Sequence, residues 1–104
     1  MPCTDETTYP LGNTVVCEFD FRDPANSNAL VDPTTVRAAV KNPNGTITIY
    51  TYGVDVQVVK TAVGEYYVEV DANQSGTWHV RGYSTGTYKG SQEESFEVEA
   101  SEFE

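Results

Sequence analysis

The sequence predicts an all-β chain folded as a two-layer sandwich of about seven short strands. Three observations predict it. Short segments alternate apolar and polar side chains at period two, as half-buried strands do. Clusters of Gly, Asn, Asp, Pro and Ser separate those segments and supply turns. Helix formers are scarce, while Val, Thr and Tyr dominate, as a pleated and half-buried surface favours.

Taken in order, residues 1–13 are polar, with Thr, Asp, Glu, Pro and Gly, and are expected to form an N-terminal arm or a first irregular strand. The sandwich domain is expected over 14–100, and 101–104 is a short acidic tail. Gly12-Asn13 marks a turn into the first strand. From Thr14 to Phe21, Val15, Cys17, Phe19 and Phe21 share one face, and Val16, Glu18 and Asp20 the other. Residues 22–35 carry two Asp-Pro pairs, which break helix and ladder alike, so a long loop is expected and with it a binding role. Val36 to Lys41 is a strand with Val36, Ala38 and Val40 inward. Asn42-Pro43-Asn44-Gly45 then predicts a hairpin turn. The returning strand, Thr46 to Tyr52, puts Ile47 and Ile49 on one face and Thr48, Tyr50 and Tyr52 on the other.

Val54, Val56 and Val58 recur at period two and predict a strand over 54–61. A central hairpin follows. Its first strand sets Tyr66, Val68 and Val70 against Tyr67, Glu69 and Asp71; its second sets Trp78, Val80 and Gly82 against His79, Arg81 and Tyr83. Trp78 is the sole tryptophan and the expected anchor of the core. A loop is expected over 84–91, and the last strand, 94–100, places Phe96, Val98 and Ala100 inward. Seven strands spaced by turns fit an immunoglobulin-like β-sandwich in architecture, although the Cys-Trp-Cys spacing of true immunoglobulin domains is missing. A small barrel is the alternative.

Composition narrows the function. At 104 residues the chain has room for one domain. Sixteen acidic and six basic residues give a net charge of −10. Nucleic-acid binding needs Lys and Arg to displace counterions from phosphates, so neither DNA nor RNA is an expected partner. Anionic membrane surfaces are disfavoured for the same reason, and partners are expected to present neutral or basic surface. The acidic C-terminal strand fits both a guarded sheet edge and a seat on a basic patch. No apolar run is long enough to form a transmembrane helix. The start, Met-Pro-Cys-Thr-Asp-Glu, lacks the basic and apolar regions of a secretory signal, so synthesis in a cytoplasm without general secretory export is expected. Cys3 and Cys17 are compatible with one disulfide but are expected to stay thiols in a reducing compartment.

No catalytic constellation stands out, and the chain is not expected to be an enzyme. There is one histidine, His79, and no phosphate-cradling glycine loop. Two cysteines and that histidine do not make a structural zinc set, and no cofactor is expected. Asp20, Asp23 and Asp32 lack the spacing of a calcium loop and fit turn aspartates that cap backbone amides. A protein-interaction surface is the better candidate. Tyr50 and Tyr52 lie on one face of their strand, and His79, Arg81 and Tyr83 on one face of theirs. Tyr and Arg are favoured interface anchors, so the two sets would form a docking surface if they coincide.

The order of motifs, from Asp32-Pro33-Thr34-Thr35-Val36 through Val40-Lys41-Asn42-Pro43-Asn44-Gly45-Thr46, Tyr50-Thr51-Tyr52-Gly53, Gly64-Glu65-Tyr66-Tyr67 and Ser75-Gly76-Thr77-Trp78-His79-Val80-Arg81-Gly82 to Phe96-Glu97-Val98, resembles a group of small proteins. These are immunoglobulin-like β-sandwich virion proteins of tailed bacteriophages, encoded near head and connector genes. The resemblance spans about residues 14–100 and rests on turn and core positions. It implies a virion structural protein, made in the host cytoplasm, with no catalytic residues. Within that class the expected role is a capsid decoration or cement protein bound to the major capsid protein, with homo-oligomers possible on the particle. A head–tail neck adaptor or an immunoglobulin-like tail component is the first alternative. A carbohydrate-binding adhesion module is the second.

Overall fold

The computed structural model describes residues 8–86 and 89–100. Ten strands run in chain order: β1 (Thr8–Pro10), β2 (Thr14–Asp20), β3 (Arg22–Asp23), β4 (Ala29–Leu30), β5 (Thr35–Lys41), β6 (Ile47–Thr51), β7 (Val58–Ala62), β8 (Glu65–Asp71), β9 (Gly76–Thr85) and β10 (Ser91–Glu99). One 3₁₀ turn, Pro24–Asn26, is the only helical element among the described residues. A five-stranded sheet has the order β1-β10-β9-β5-β6, and a three-stranded sheet the order β2-β8-β7. The chain is all-β, with open sheets as in a β-sandwich.

The alternation legible in the sequence is what the core uses. Val15, Cys17 and Phe19 of β2, Tyr66, Val68 and Val70 of β8, Val36, Ala38 and Val40 of β5, and Trp78 and Val80 of β9 belong to one buried cluster. The Trp78 indole stacks on Phe96 of β10 at 6.0 Å between ring centroids, and Tyr9 meets Phe96 edge-on at 5.6 Å. Phe19, Phe21, Tyr66 and Tyr52 form a second aromatic group. Gly82 lies beneath the Phe19 ring, where a Cβ would stand 2.5 Å from a ring carbon. Glycine there lets the two sheets approach.

Several expectations are resolved or corrected by the structure. Of the two readings of the N-terminal stretch, Thr8–Pro10 takes the strand: Tyr9 is buried and β1 pairs in parallel with β10, while residues 1–7 lie outside the described residues. Val54 and Val56 are not in a strand and stand 79% and 85% exposed. Their period is overridden locally: the Asp55 carboxylate accepts the Thr51 N–H at 2.8 Å, while Val54 and Asp55 donate back to the Thr51 carbonyl. This side-chain-closed turn competes with the strand and ends before Val58. Ala100 is exposed and follows the end of β10, which begins earlier than expected, at Ser91. Cys17 is disulfide-bonded where a thiol was expected, and Cys3 lies outside the described residues.

The 22–35 segment is a folded hairpin and not an open loop. β3 and β4 pair, the Asp23 carboxylate accepts the Ala25 N–H at 3.0 Å, and Val31 N–H donates to Phe21 O at 3.0 Å. Asp32 then fastens the segment to the three-stranded sheet. It accepts from Lys60 Nζ at 2.9 Å, Gly64 N–H at 2.8 Å and the Tyr66 hydroxyl at 3.2 Å. Asp20 likewise serves the fold: it accepts from Arg22 at 3.2 Å, and its carbonyl and carboxylate both accept from the Gln92 side-chain amide. The aspartates therefore cap and tether, as turn aspartates do.

The Lys60 ammonium holds the Asp32 carboxyl below its ordinary value of 3.8, helped by the Gly64 amide, and Asp32 in turn raises Lys60. Burial, with the Asp32 charge second, pushes the Tyr66 hydroxyl up to about 12. A carboxyl depressed by folding stabilises above its unfolded value, and that stability is lost as pH falls through the folded one. The melting temperature is therefore expected to drop as pH falls below about 4, and Asp32→Asn should flatten that drop while lowering stability at neutral pH. Thermal melts of both proteins across pH 2–7 check it.

Candidate docking face

The outer face of the five-stranded sheet is built by register. Across β6, β5, β9 and β10 the facing residues form three rows. The first is Ile47, Lys41, His79 and Ser95. The second is Ile49, Ala39, Arg81 and Glu93. The third is Thr51, Arg37, Tyr83 and Ser91. Each strand turns its other side inward, so the buried Val36, Ala38 and Val40 force Arg37, Ala39 and Lys41 outward. A shallow concavity of about 610 Å³ runs over this face, lined by Lys41, Ile47, His79 and Arg81 among others.

Three of the five candidate interaction residues thus share the face: His79, Arg81 and Tyr83. The other two do not. Tyr50 pairs with Ala38 on the inward side of the sheet and packs against the core. Tyr52, although 43% exposed, packs edge-on against Tyr66 at 5.4 Å. In their place Ile47 and Ile49 point outward, 59% and 53% exposed. The turn decides this. Asn42 N–H donates to Thr46 O, and the Asn42 side chain accepts from the Asn44 and Thr46 amides, so residue 42 pairs with 46. Counting back, inward Val40 faces Thr48 and inward Ala38 faces Tyr50, which leaves the isoleucines outside.

Charge on the molecule is segregated. No Asp or Glu lies between Asp32 and Asp55, or between Asp71 and Glu93. Those two runs contain β5, β6 and β9, which are neighbours in the sheet. Three of the six basic residues, Arg37, Lys41 and Arg81, stand on their outer face together with the sole histidine. Arg22 and Lys60 form ion pairs elsewhere, with Asp20 and Asp32. Arg81 lies 5.1 Å from the Tyr83 ring centroid and donates to Ser91 Oγ at 2.8 Å, so it is held in place without a carboxylate. The net charge of −10 therefore averages an acidic body and one cationic face, and the expectation of neutral or basic partners applies only to the former. Arg37, Lys41, Ile47 and Ile49 were missed as site residues; the two acid-free runs were the signal that marks them.

The face offers binding chemistry: apolar side chains along β6, cations along β5 and β9, carboxylates along β10. His79 has no hydrogen-bond partner among the described residues. No group of three or more His, Cys, Asp or Glu side chains placed to hold a metal ion occurs among the described residues. Compared with known protein families and with curated proteins, the chain matches no family model and shows no significant similarity to a curated protein.

Proposed function

We propose that this protein works by docking on other proteins, as an immunoglobulin-like β-sandwich component of a tailed-phage virion, and most specifically as a capsid decoration protein. The observation that carries the docking reading is the segregated face, where exposed Ile47 and Ile49 adjoin cations with no acidic residue on β5, β6 or β9. Exposed apolar area is costly to leave in water, and the cations beside it select a partner of complementary charge.

The strand order supports the immunoglobulin-like arrangement. β2-β8-β7 matches a B-E-D sheet, and β10-β9-β5-β6 matches the G-F-C-C′ sheet of the variable type. The hallmark disulfide between the B and F strands has no counterpart, since β9 holds no cysteine. The virion assignment rests on the likeness of turn and core motifs set out above. Decoration is preferred within it because small domains bridging a lattice gain by multivalency, and an acidic body stays dispersed and avoids packaged DNA. Sugar recognition is less favoured. It calls for an open aromatic platform, whereas the Arg81 guanidinium covers Tyr83, and Tyr50 and Tyr52 pack against the core.

Quantitative mass spectrometry of purified particles tests the assignment. A decoration protein is expected at on the order of hundreds of copies per particle, and about six or twelve would move it to the neck. Absence from particles would overturn the virion assignment.

A further inference from the structure

We propose that the β6 edge of the five-stranded sheet is a strand-addition site for an extended acidic segment of another protein. The inference deepens the docking reading and rests on it, naming the chemistry of the segment bound.

β6 is the last strand of its sheet. Two backbone hydrogen bonds fix which of its residues face β5: Tyr52 N–H donates to Val36 O at 2.9 Å, and Asn42 N–H to Thr46 O at 3.0 Å. In an antiparallel pair, bonded and non-bonded residue pairs alternate. Residues 46, 48, 50 and 52 therefore spend their backbone groups on β5, and Ile47, Ile49 and Thr51 turn theirs to the open side. Thr51 is already satisfied, its N–H by Asp55 and its carbonyl by the Val54 and Asp55 amides. Ile47 and Ile49 are left with two N–H and two C=O groups aimed at solvent, spaced as a partner strand needs. Their side chains are the exposed isoleucines.

Natural edges are guarded by charge, proline or a bulge. The other edge of this sheet follows that rule, since β1 is three residues long and ends in Pro10. β6 has neither charge nor proline, and its pairing with β5 shows no register shift. An added strand would exchange backbone bonds with Ile47 and Ile49 and lay its outward side chains beside theirs. The cations nearest in the sheet are Lys41, directly across from Ile47, and Arg37, across from Thr51. Neither has an ion-pair partner among the described residues. β6 separates them from the incoming strand, which would lie two strand spacings, about 9.6 Å, from β5, so their long side chains extend across β6 toward glutamate side chains reaching back, and favour carboxylates over ammonium groups there. A second copy is the poorer occupant, because edge-to-edge pairing would join two bodies of net charge −10 and set like cations on both sides of the seam.

The test uses two short capped peptides, one alternating valine with glutamate and one alternating valine with lysine, titrated into the full chain. Amide hydrogen exchange is read by NMR. The glutamate peptide is expected to slow exchange at Ile47 and Ile49 by about tenfold or more at saturation, with affinity falling as salt rises. The lysine peptide should leave both amides unchanged. Ile49→Pro, which removes one outward N–H, should weaken binding about tenfold. Arg37→Glu/Lys41→Glu leaves the edge backbone intact and should reverse the preference between the peptides. Equal response to both peptides, no binding at millimolar peptide, protection confined to other strands, or self-association that protects the same two amides would each overturn the proposal. Such a failure alongside high copy number on particles would remove strand addition alone. Peptide binding by a protein absent from particles would remove the virion assignment alone.

Discussion

Trp78→Ala is expected to cost about 3–5 kcal/mol of folding stability, the range for deleting a large buried aromatic. The indole is 5% exposed and stacks at 6° to the Phe96 ring. Phe96 in turn carries the edge of Tyr9, which brings β1 into the sheet. Removing the indole opens a cavity, frees one face of Phe96 and loosens the seat of Tyr9. It also strips the Gln74 carbonyl of its donor, since Trp78 Nε1–H donates to it at 3.0 Å. Domains of this size hold on the order of 5–15 kcal/mol in total, so the variant should be marginal or unfolded. Trp78→Phe keeps a stacked ring and loses the hydrogen bond, and should fall between the two. Denaturant titration followed by far-ultraviolet circular dichroism measures all three proteins. Native melting of the alanine variant would contradict the role given to the indole.

Gly64→Ala is expected to cost about 2–4 kcal/mol, through two independent penalties. The residue has φ +72°, a conformation that costs a residue with a Cβ about 1–3 kcal/mol. The new Cβ would also stand 2.8 Å from the Val31 amide nitrogen and carbonyl oxygen and 2.9 Å from Phe21 O. These are backbone atoms and cannot rotate away, so overpacking adds to the strain. Gly64 is where the β3–β4 hairpin meets the β7–β8 turn: its N–H donates to Asp32, and its carbonyl accepts from Phe21 N–H at 2.9 Å. Gly53→Ala is the matched control. It shares a positive φ of +88°, but a Cβ at residue 53 would meet nothing within 4 Å, so only the backbone penalty remains. Equal losses in the two variants, measured by denaturant titration, would refute the close approach at Gly64.

These two sites mark what the sequence could and could not carry. The alternation of Val15, Cys17 and Phe19, and of Trp78 and Val80, is local and survives folding because one face of each strand is buried. The Asn42–Gly45 turn is equally local. Tyr9 is different: its parallel partner Val98 is far along the chain, and the Tyr9–Leu11 alternation is too short, and too broken by Pro10 and Gly12, to announce a strand. β3 and β4, two residues each, are too short to alternate. At Val54 and Val56 a true period was present, but the Asp55 side chain captured the backbone first. A truncation meant to probe the N-terminal arm must therefore stop before Thr8, because a longer one removes a core tyrosine.

The docking face was half legible. His79, Arg81 and Tyr83 follow directly from a buried Trp78 and Val80. Tyr50 and Tyr52 were assigned to it because side-chain type suggested an interface, whereas the pairing of residues 42 and 46 sends them inward. Carrying the register of β5 through the turn would have exchanged them for Ile47 and Ile49. The acid-free runs were visible in one dimension, but only the adjacency of β9, β5 and β6 turns them into a single surface.

Occupancy on purified particles, compared between the native protein and Arg37→Glu/Lys41→Glu, tests most directly whether that surface makes the contact. Both substitutions lie on an outer sheet face, so melting should change little, while copies per particle should fall at least about tenfold, since like charge at an interface costs more than about 1.4 kcal/mol. Full occupancy by the folded double variant would show that the protein docks through some other part of its surface.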